Sequence, residues 1–193
     1  MKMQRKNTKR KLCGALALMS FLPGCNAMGR VPSNVLQLTE AQRRLKDVGL
    51  ALVVDAVPGA EMLGVEFYAD GSDRPFYAKS RMVQRNREIM AFPISVVPEQ
   101  VRVLWRDSSK LVRRTDNPSI STYAGNVLGD HTLPIASRIP DEVVKEIRKN
   151  GGGLRLKFRL KPDGVLFGWD IERFAGGLPR HSMPGGDFLE TEY

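Results

Sequence analysis

Residues 153 to 174, GLRLKFRLKPDGVLFGWDIERF, constrain the fold more than any other part of the chain. Leu154, Leu156, Phe158 and Leu160 alternate with Arg155, Lys157, Arg159 and Lys161. Beyond Pro162-Asp163-Gly164, Val165, Phe167, Trp169 and Ile171 alternate with Leu166, Gly168, Asp170 and Glu172. Period-2 alternation on both sides of a turn signal is a β-hairpin with one apolar face. A slip of one residue would turn every side chain over, so the register must keep apolar with apolar. That pairs Leu160 with Val165, Phe158 with Phe167, Leu156 with Trp169 and Leu154 with Ile171, and sets Arg155 opposite Asp170 as a cross-strand ion pair. The basic row is read as the solvated face of an edge or half-exposed strand, where Lys guards against edge pairing, in preference to a strip facing lipid headgroups or an acidic partner.

The N-terminus has a different character. Residues 1 to 11 carry Lys2, Arg5, Lys6, Lys9, Arg10 and Lys11 without an acid, and Leu12 to Leu22 is an apolar run. A basic n-region before a short h-region is a secretory signal. The run is shorter than the roughly 20 residues of a membrane-spanning helix. Leu22-Pro23-Gly24-Cys25 then resembles the lipobox of bacterial lipoproteins, although Pro23 is not the usual small residue at its position. The resemblance implies cleavage before Cys25, lipidation of its thiol and acylation of the new amino terminus. Asn26, rather than Asp, implies sorting to the inner leaflet of the outer membrane, facing the periplasm. Several acyl chains hold a protein on a bilayer far more firmly than one.

Cleavage changes the bulk properties. The whole chain carries a net charge of +9 and a pI near 9.8. Without the six basic residues of the signal the balance falls to about +3, and the case for a nucleic-acid partner loses its main support. Cys13 leaves with the signal and Cys25 is acylated, so no thiol remains for a disulfide. The expected organisation is a signal peptide (1–24), a lipidated tether (25–37), one β-rich domain (38–175) and a flexible C-terminal tail (176–193).

Within the domain, Thr39 with Gln42 has the spacing of a capping box for a short helix. Strands are expected over residues 50–57, 62–69, 76–83, 88–97, 101–105, 120–127 and 131–136, with 107–119 as a polar loop and Leu128-Gly129-Asp130 as a separator. Pro140-Asp141-Glu142 opens the clearest helix, with Val143, Val144 and Ile147 as its apolar face, Lys145, Arg148 and Lys149 toward its end, and Asn150 to Gly153 as its stop. The expected fold class is α+β: a mainly antiparallel sheet or sandwich with one helix, about 140–150, packed on it.

Catalytic patterns are scarce. The sequence holds no His-Glu-x-x-His, no Gly-x-Ser-x-Gly and no phosphate-cradling glycine loop, and its two histidines are His131 and His181. No catalytic residue, metal ligand set or cofactor is expected, and the chain is read as a non-enzyme. Asp73, Arg74, Phe76 and Tyr77, in a loop of turn formers, have the composition of a protein-binding contact.

Several stretches together resemble the lipoprotein immunity proteins encoded with type VI secretion phospholipase effectors: Ser121 to Gly125 and on to Asp130, Ile139 to Val144, Gly152 to Arg159 and Gly168 to Ile171. Tyr68 to Gly71 and Val103 to Arg106 fit the same pattern. The resemblance spans residues 50 to 173 and implies a membrane-anchored protein that binds and inhibits a phospholipase delivered by sibling cells. Its partners would be that effector and the membrane, the latter through Cys25. The alternative is a structural lipoprotein of an envelope or secretion assembly.

Overall fold

The computed structural model describes residues 37–84, 88–113, 117 and 119–190. Cys25, the signal segment and all of the tether before residue 37 lie outside the described residues.

A short helix, α1 (Glu40–Arg44), opens the domain, with the expected capping box: the Gln42 amide donates to the Thr39 hydroxyl while the Gln42 side chain accepts from the Thr39 amide. The strands that follow are β1 (Gly49–Ala56), β2 (Glu61–Ala69), β3 (Tyr77–Val83), β4 (Glu88–Ala91), β5 (Gln100–Arg106), β6 (Leu111–Arg113), β7 (Ser121–Tyr123) and β8 (Val127–Pro134). A 3₁₀ turn (Ala136–Arg138) leads to α2 (Asp141–Asn150), and β9 (Gly153–Lys161), β10 (Gly164–Ala175) and β11 (Leu178–Gly186) complete the domain. One sheet has the order β11-β10-β9-β1-β4 and a second β3-β2-β5-β8, with β6 and β7 as a separate ribbon. Among the described pairings only β1 with β9 is parallel; the others are antiparallel. The fold is α+β, as the sequence leads one to expect.

The core lies between the two sheets. Leu52, Val54 and Ala56 of β1, the four leucine and phenylalanine positions of β9, and Val165, Phe167, Trp169 and Ile171 of β10 face Met62, Phe67, Met82, Val101, Val103 and Trp105. Phe67 of β2 and Phe158 of β9 meet edge to face with centroids 5.3 Å apart, a favoured ring geometry that ties one sheet to the other. Fully burying a side chain of this size contributes about 2–3 kcal/mol. α2 adds Val143, Val144 and Ile147. It begins after Pro140, whose extended ψ of 152° suits an N-cap, and stops at Gly151, whose φ of +74° is open to glycine and whose amide bonds the Ile147 carbonyl. Among the described residues the core cluster runs from Leu45 to Ile171.

The β9–β10 hairpin has the register that the alternation demands, including Leu160 with Val165, Phe158 with Phe167, Leu156 with Trp169, Leu154 with Ile171 and Arg155 with Asp170. Other expectations are corrected. The C-terminal stretch is not a flexible tail throughout: residues 178–186 form β11, paired along β10. Its prolines are tolerated because it is an edge strand, where an absent amide costs no ladder bond. The strand expected over 88–97 is confined to β4 and that over 120–127 to β7, while the polar loop contains β6. Leu128-Gly129-Asp130 lies inside β8, because Gly129 fits beneath Trp105 of β5.

Candidate functional site

The row of basic residues on β9 is not a solvated face. β9 lies inside its sheet, between β10 and β1, and Arg155 and Lys157 are 1% and 0% exposed. Arg155, Lys157 and Arg159 each have a carboxylate on a neighbouring strand, while Lys161, at the strand end, pairs with Asp163 in the turn. Asp170 of β10 accepts from Arg155 Nε at 2.6 Å and Nη2 at 2.8 Å, and Lys157 Nζ lies 2.9 Å from its second oxygen. On the other side, Asp55 of β1 accepts from Arg159 Nε at 2.9 Å and Nη2 at 3.0 Å, as the parallel register of these two residues requires. Glu172 extends the network, 3.7 Å from Arg155 and 3.2 Å from His181 Nε2.

The segment after β11 covers this row. Phe188, 8% exposed, lies 5.0 Å from Lys157 Nζ and 4.5 Å from the Arg159 guanidinium, measured to its ring centre. The Glu190 carbonyl accepts from Lys157 at 2.9 Å, and its carboxylate pairs with Arg159 at 3.3 Å. Burial drives the Lys157 pKa down, partly offset by Asp170. Asp187 anchors the segment by bonding Arg138 and the Phe167 amide. The two bonds, the Arg138 one the larger contribution, hold its carboxyl below the usual range.

The four residues expected to contact a partner separate into two environments. Asp73 and Arg74 are exposed in the loop after β2. Phe76 is half-buried against Phe67 and Phe92, and Tyr77 is 6% exposed, edge-on to Phe67, with its hydroxyl donating to Glu88 at 2.8 Å. Burial, reinforced by Glu88, raises the Tyr77 pKa. Tyr77 is therefore core rather than contact: it opens β3, and the period-2 rule sends its ring inward.

An open cavity of about 500 Å³ lies where β1, the end of α2, the start of β9 and the end of β10 converge. Leu50, Gly153, Arg155, Glu172, Arg173 and Phe174 are among its lining residues. Arg173 braces one wall, donating to the Gly151 carbonyl at 2.9 Å and pairing with Glu146 at 3.0 Å. Next to it, every residue from Phe174 to Arg180 is exposed at the tip of the β10–β11 hairpin. That tip was legible as a Gly-Gly pair between two runs, a hairpin signal hidden by the prolines that follow.

Both histidines are engaged: His131 stacks on Trp105 with centroids 5.2 Å apart, and His181 contacts Glu172. Among the described residues, no group of three or more His, Cys, Asp and Glu side chains is placed to hold a metal ion, and no helix is long and apolar enough to cross a membrane. Compared with protein-family models, with curated proteins and with solved structures, the chain matches none.

Proposed function

We propose that the chain is a periplasm-facing lipoprotein, anchored through Cys25 to the inner leaflet of the outer membrane, that binds and inhibits a type VI secretion phospholipase effector. The observation that carries this reading is the order of features along the chain: a basic segment, a short apolar run and Leu22-Pro23-Gly24-Cys25, followed by a β-rich domain bearing the stretches that resemble phospholipase immunity lipoproteins. The domain's interior chemistry is compatible with binding rather than turnover. Asp170 and Asp55 are each engaged by a guanidinium group inside the sheet, so neither carboxylate is open to a substrate. A rigid sandwich with exposed loops meets a partner with little reorganisation, as tight inhibitors do.

Inhibition is steric: the domain covers the approach to the phospholipase active site across an interface of about 1,600 Å². The exposed Asp73-Arg74 loop supplies part of that contact. Restriction to the membrane raises the inhibitor's effective concentration where the phospholipase acts. Mixing the purified mature protein with the phospholipase encoded beside it, and measuring phospholipid hydrolysis, tests the reading. Hydrolysis should stop at a one-to-one ratio; full activity with no complex at micromolar concentration would sink it.

A further inference from the structure

Residues 173 to 180 read RFAGGLPR: six residues without a polar side chain, bounded by two arginines. The hairpin register makes the stretch symmetrical, pairing Ala175 with Leu178, Phe174 with Pro179 and Arg173 with Arg180. Gly176 and Gly177, at φ of +62° and +79°, form the two-residue turn that closes it. Directly paired residues point to the same face, and successive ones to opposite faces. Ala175 and Leu178 therefore occupy one face of the tip, and Phe174 and Pro179 the other. Phe174 is 73% exposed and Leu178 63%, so the tip is an apolar wedge on both sides.

Its base is basic. Arg173 and Arg180 are paired across the strands, Arg173 held by Glu146 and Arg180 exposed. Arg148 and Lys149, both exposed, end α2, the helix on which Arg173 packs. Arg148 also donates to the Arg44 carbonyl at 2.9 Å, which places the end of α1, close to where the chain enters the domain, beside the same surface. Glu146 is paired with Arg173, and Glu172, beside that arginine in the cavity lining, with His181.

We infer that this hairpin is a membrane-docking element whose partner is an anionic bilayer surface. A flat protein surface would cover only one face of the wedge, whereas a bilayer surrounds both. From the arginine pair to the turn is three residues, about 10 Å at strand rise. That matches the roughly 5–10 Å to which interfacial elements bury their apolar parts, and leaves Arg173 and Arg180 level with phosphate headgroups. The inference depends on the lipoprotein reading only for the claim that the domain meets a membrane in the cell.

The test uses the chain from Asn26 onward, without acyl groups, so that its result is independent of Cys25. This chain includes every described core residue and contains no cysteine, so Ala175→Cys gives a single site for an environment-sensitive dye. Flotation with vesicles of phosphatidylglycerol and phosphatidylethanolamine should show binding at least tenfold tighter than with phosphatidylcholine alone, with a blue shift of the dye at position 175 and none at Asp73→Cys. Phe174→Ser/Leu178→Ser should weaken that binding tenfold or more while leaving the circular dichroism spectrum and unfolding midpoint unchanged, since both side chains are exposed. Equal binding to neutral and anionic vesicles, or binding untouched by the double substitution, would overturn the inference. So would a double variant that still binds vesicles but no longer inhibits the phospholipase, because the tip would then be a protein contact.

Discussion

Asp170 and Arg155 face each other across the β9–β10 hairpin and share two hydrogen bonds, of 2.6 and 2.8 Å, with neither side chain more than 2% exposed. A bidentate guanidinium–carboxylate pair is among the stronger polar contacts a protein makes. Here it also compensates a second cation, since Lys157 reaches the same carboxylate. The outer face of this sheet therefore holds a small ionic layer, sealed by Phe188, on the opposite side from the apolar core.

Removing the shared anion leaves two buried cations short of compensation. Asp170→Ala should lower unfolding free energy by about 3–5 kcal/mol, the cost of breaking a buried pair on one side. The triple change Arg155→Met/Lys157→Met/Asp170→Leu should cost much less, because the two cations that Asp170 compensates leave with it. Urea unfolding of both variants checks this; equal losses would mean that packing, not charge, sets the cost.

The hairpin was legible because its alternation is unbroken on both sides of Pro162-Asp163-Gly164, and only one register satisfies it. The burial of its basic face was not. That depends on Asp55, over a hundred positions away in sequence and brought alongside by parallel pairing, and on Phe188, in a stretch too rich in glycine and proline to read as ordered. Tyr77 lies in the strand expected over 76–83; its place next to the turn formers suggests a contact, whereas its ring packs inward against Phe67. α2 was legible because cap, apolar face and stop agree locally and need no distant partner.

Each tryptophan lies on a glycine of the neighbouring strand: Trp105 is paired with Gly129 and Trp169 with Gly185. A Cβ at Gly129 would stand 2.1 Å from the Trp105 ring, and one at Gly185 2.5 Å from the Trp169 ring. Overpacking of this kind costs about 1–3 kcal/mol. Gly129→Ala should show the full cost with a red shift of tryptophan emission, since β8 is held along β5. β8 and β11 are both edge strands, so the order rests on the closer approach at Gly129, and Gly185→Ala should cost less. Unfolding midpoints and emission spectra decide, and the reverse order would refute the packing account.

Asp107 organises the turn between β5 and β6. Its carboxylate accepts from the Ser109 hydroxyl and amide and from the Asn126 side chain and amide, which lower its pKa to about 2. A carboxyl depressed in the folded state contributes stability above its unfolded pKa, near 3.9, that is lost as pH falls toward 2. Carboxyl-detected NMR titration should place Asp107 near 2, and Asp107→Asn should remove that part of the acid dependence. A midpoint near 3.9 would show that these bonds do not form in solution.

Lys157 gives a slope of the same sign at the alkaline end of the scale, from the opposite cause: its charged form is disfavoured in the fold. Burial lowers its folded pKa, so between that value and the unfolded value near 10.4 the unfolded chain binds more protons, and stability rises with pH. The stability difference between the wild type and Lys157→Met should therefore shift in favour of the wild type as pH is raised toward 10.4. Phe188→Ala should flatten that rise, because water reaching the ammonium returns its pKa toward the ordinary value. It should also cost about 2 kcal/mol or more through loss of the ring's contacts with Lys157 and Arg159. Urea midpoints measured across pH 8 to 10.5, with amine-acylation rates at Lys157 as a second reading, test both parts. A Lys157 that reacts as fast in the wild type as in Phe188→Ala would mean that the C-terminal segment does not seal the ionic layer.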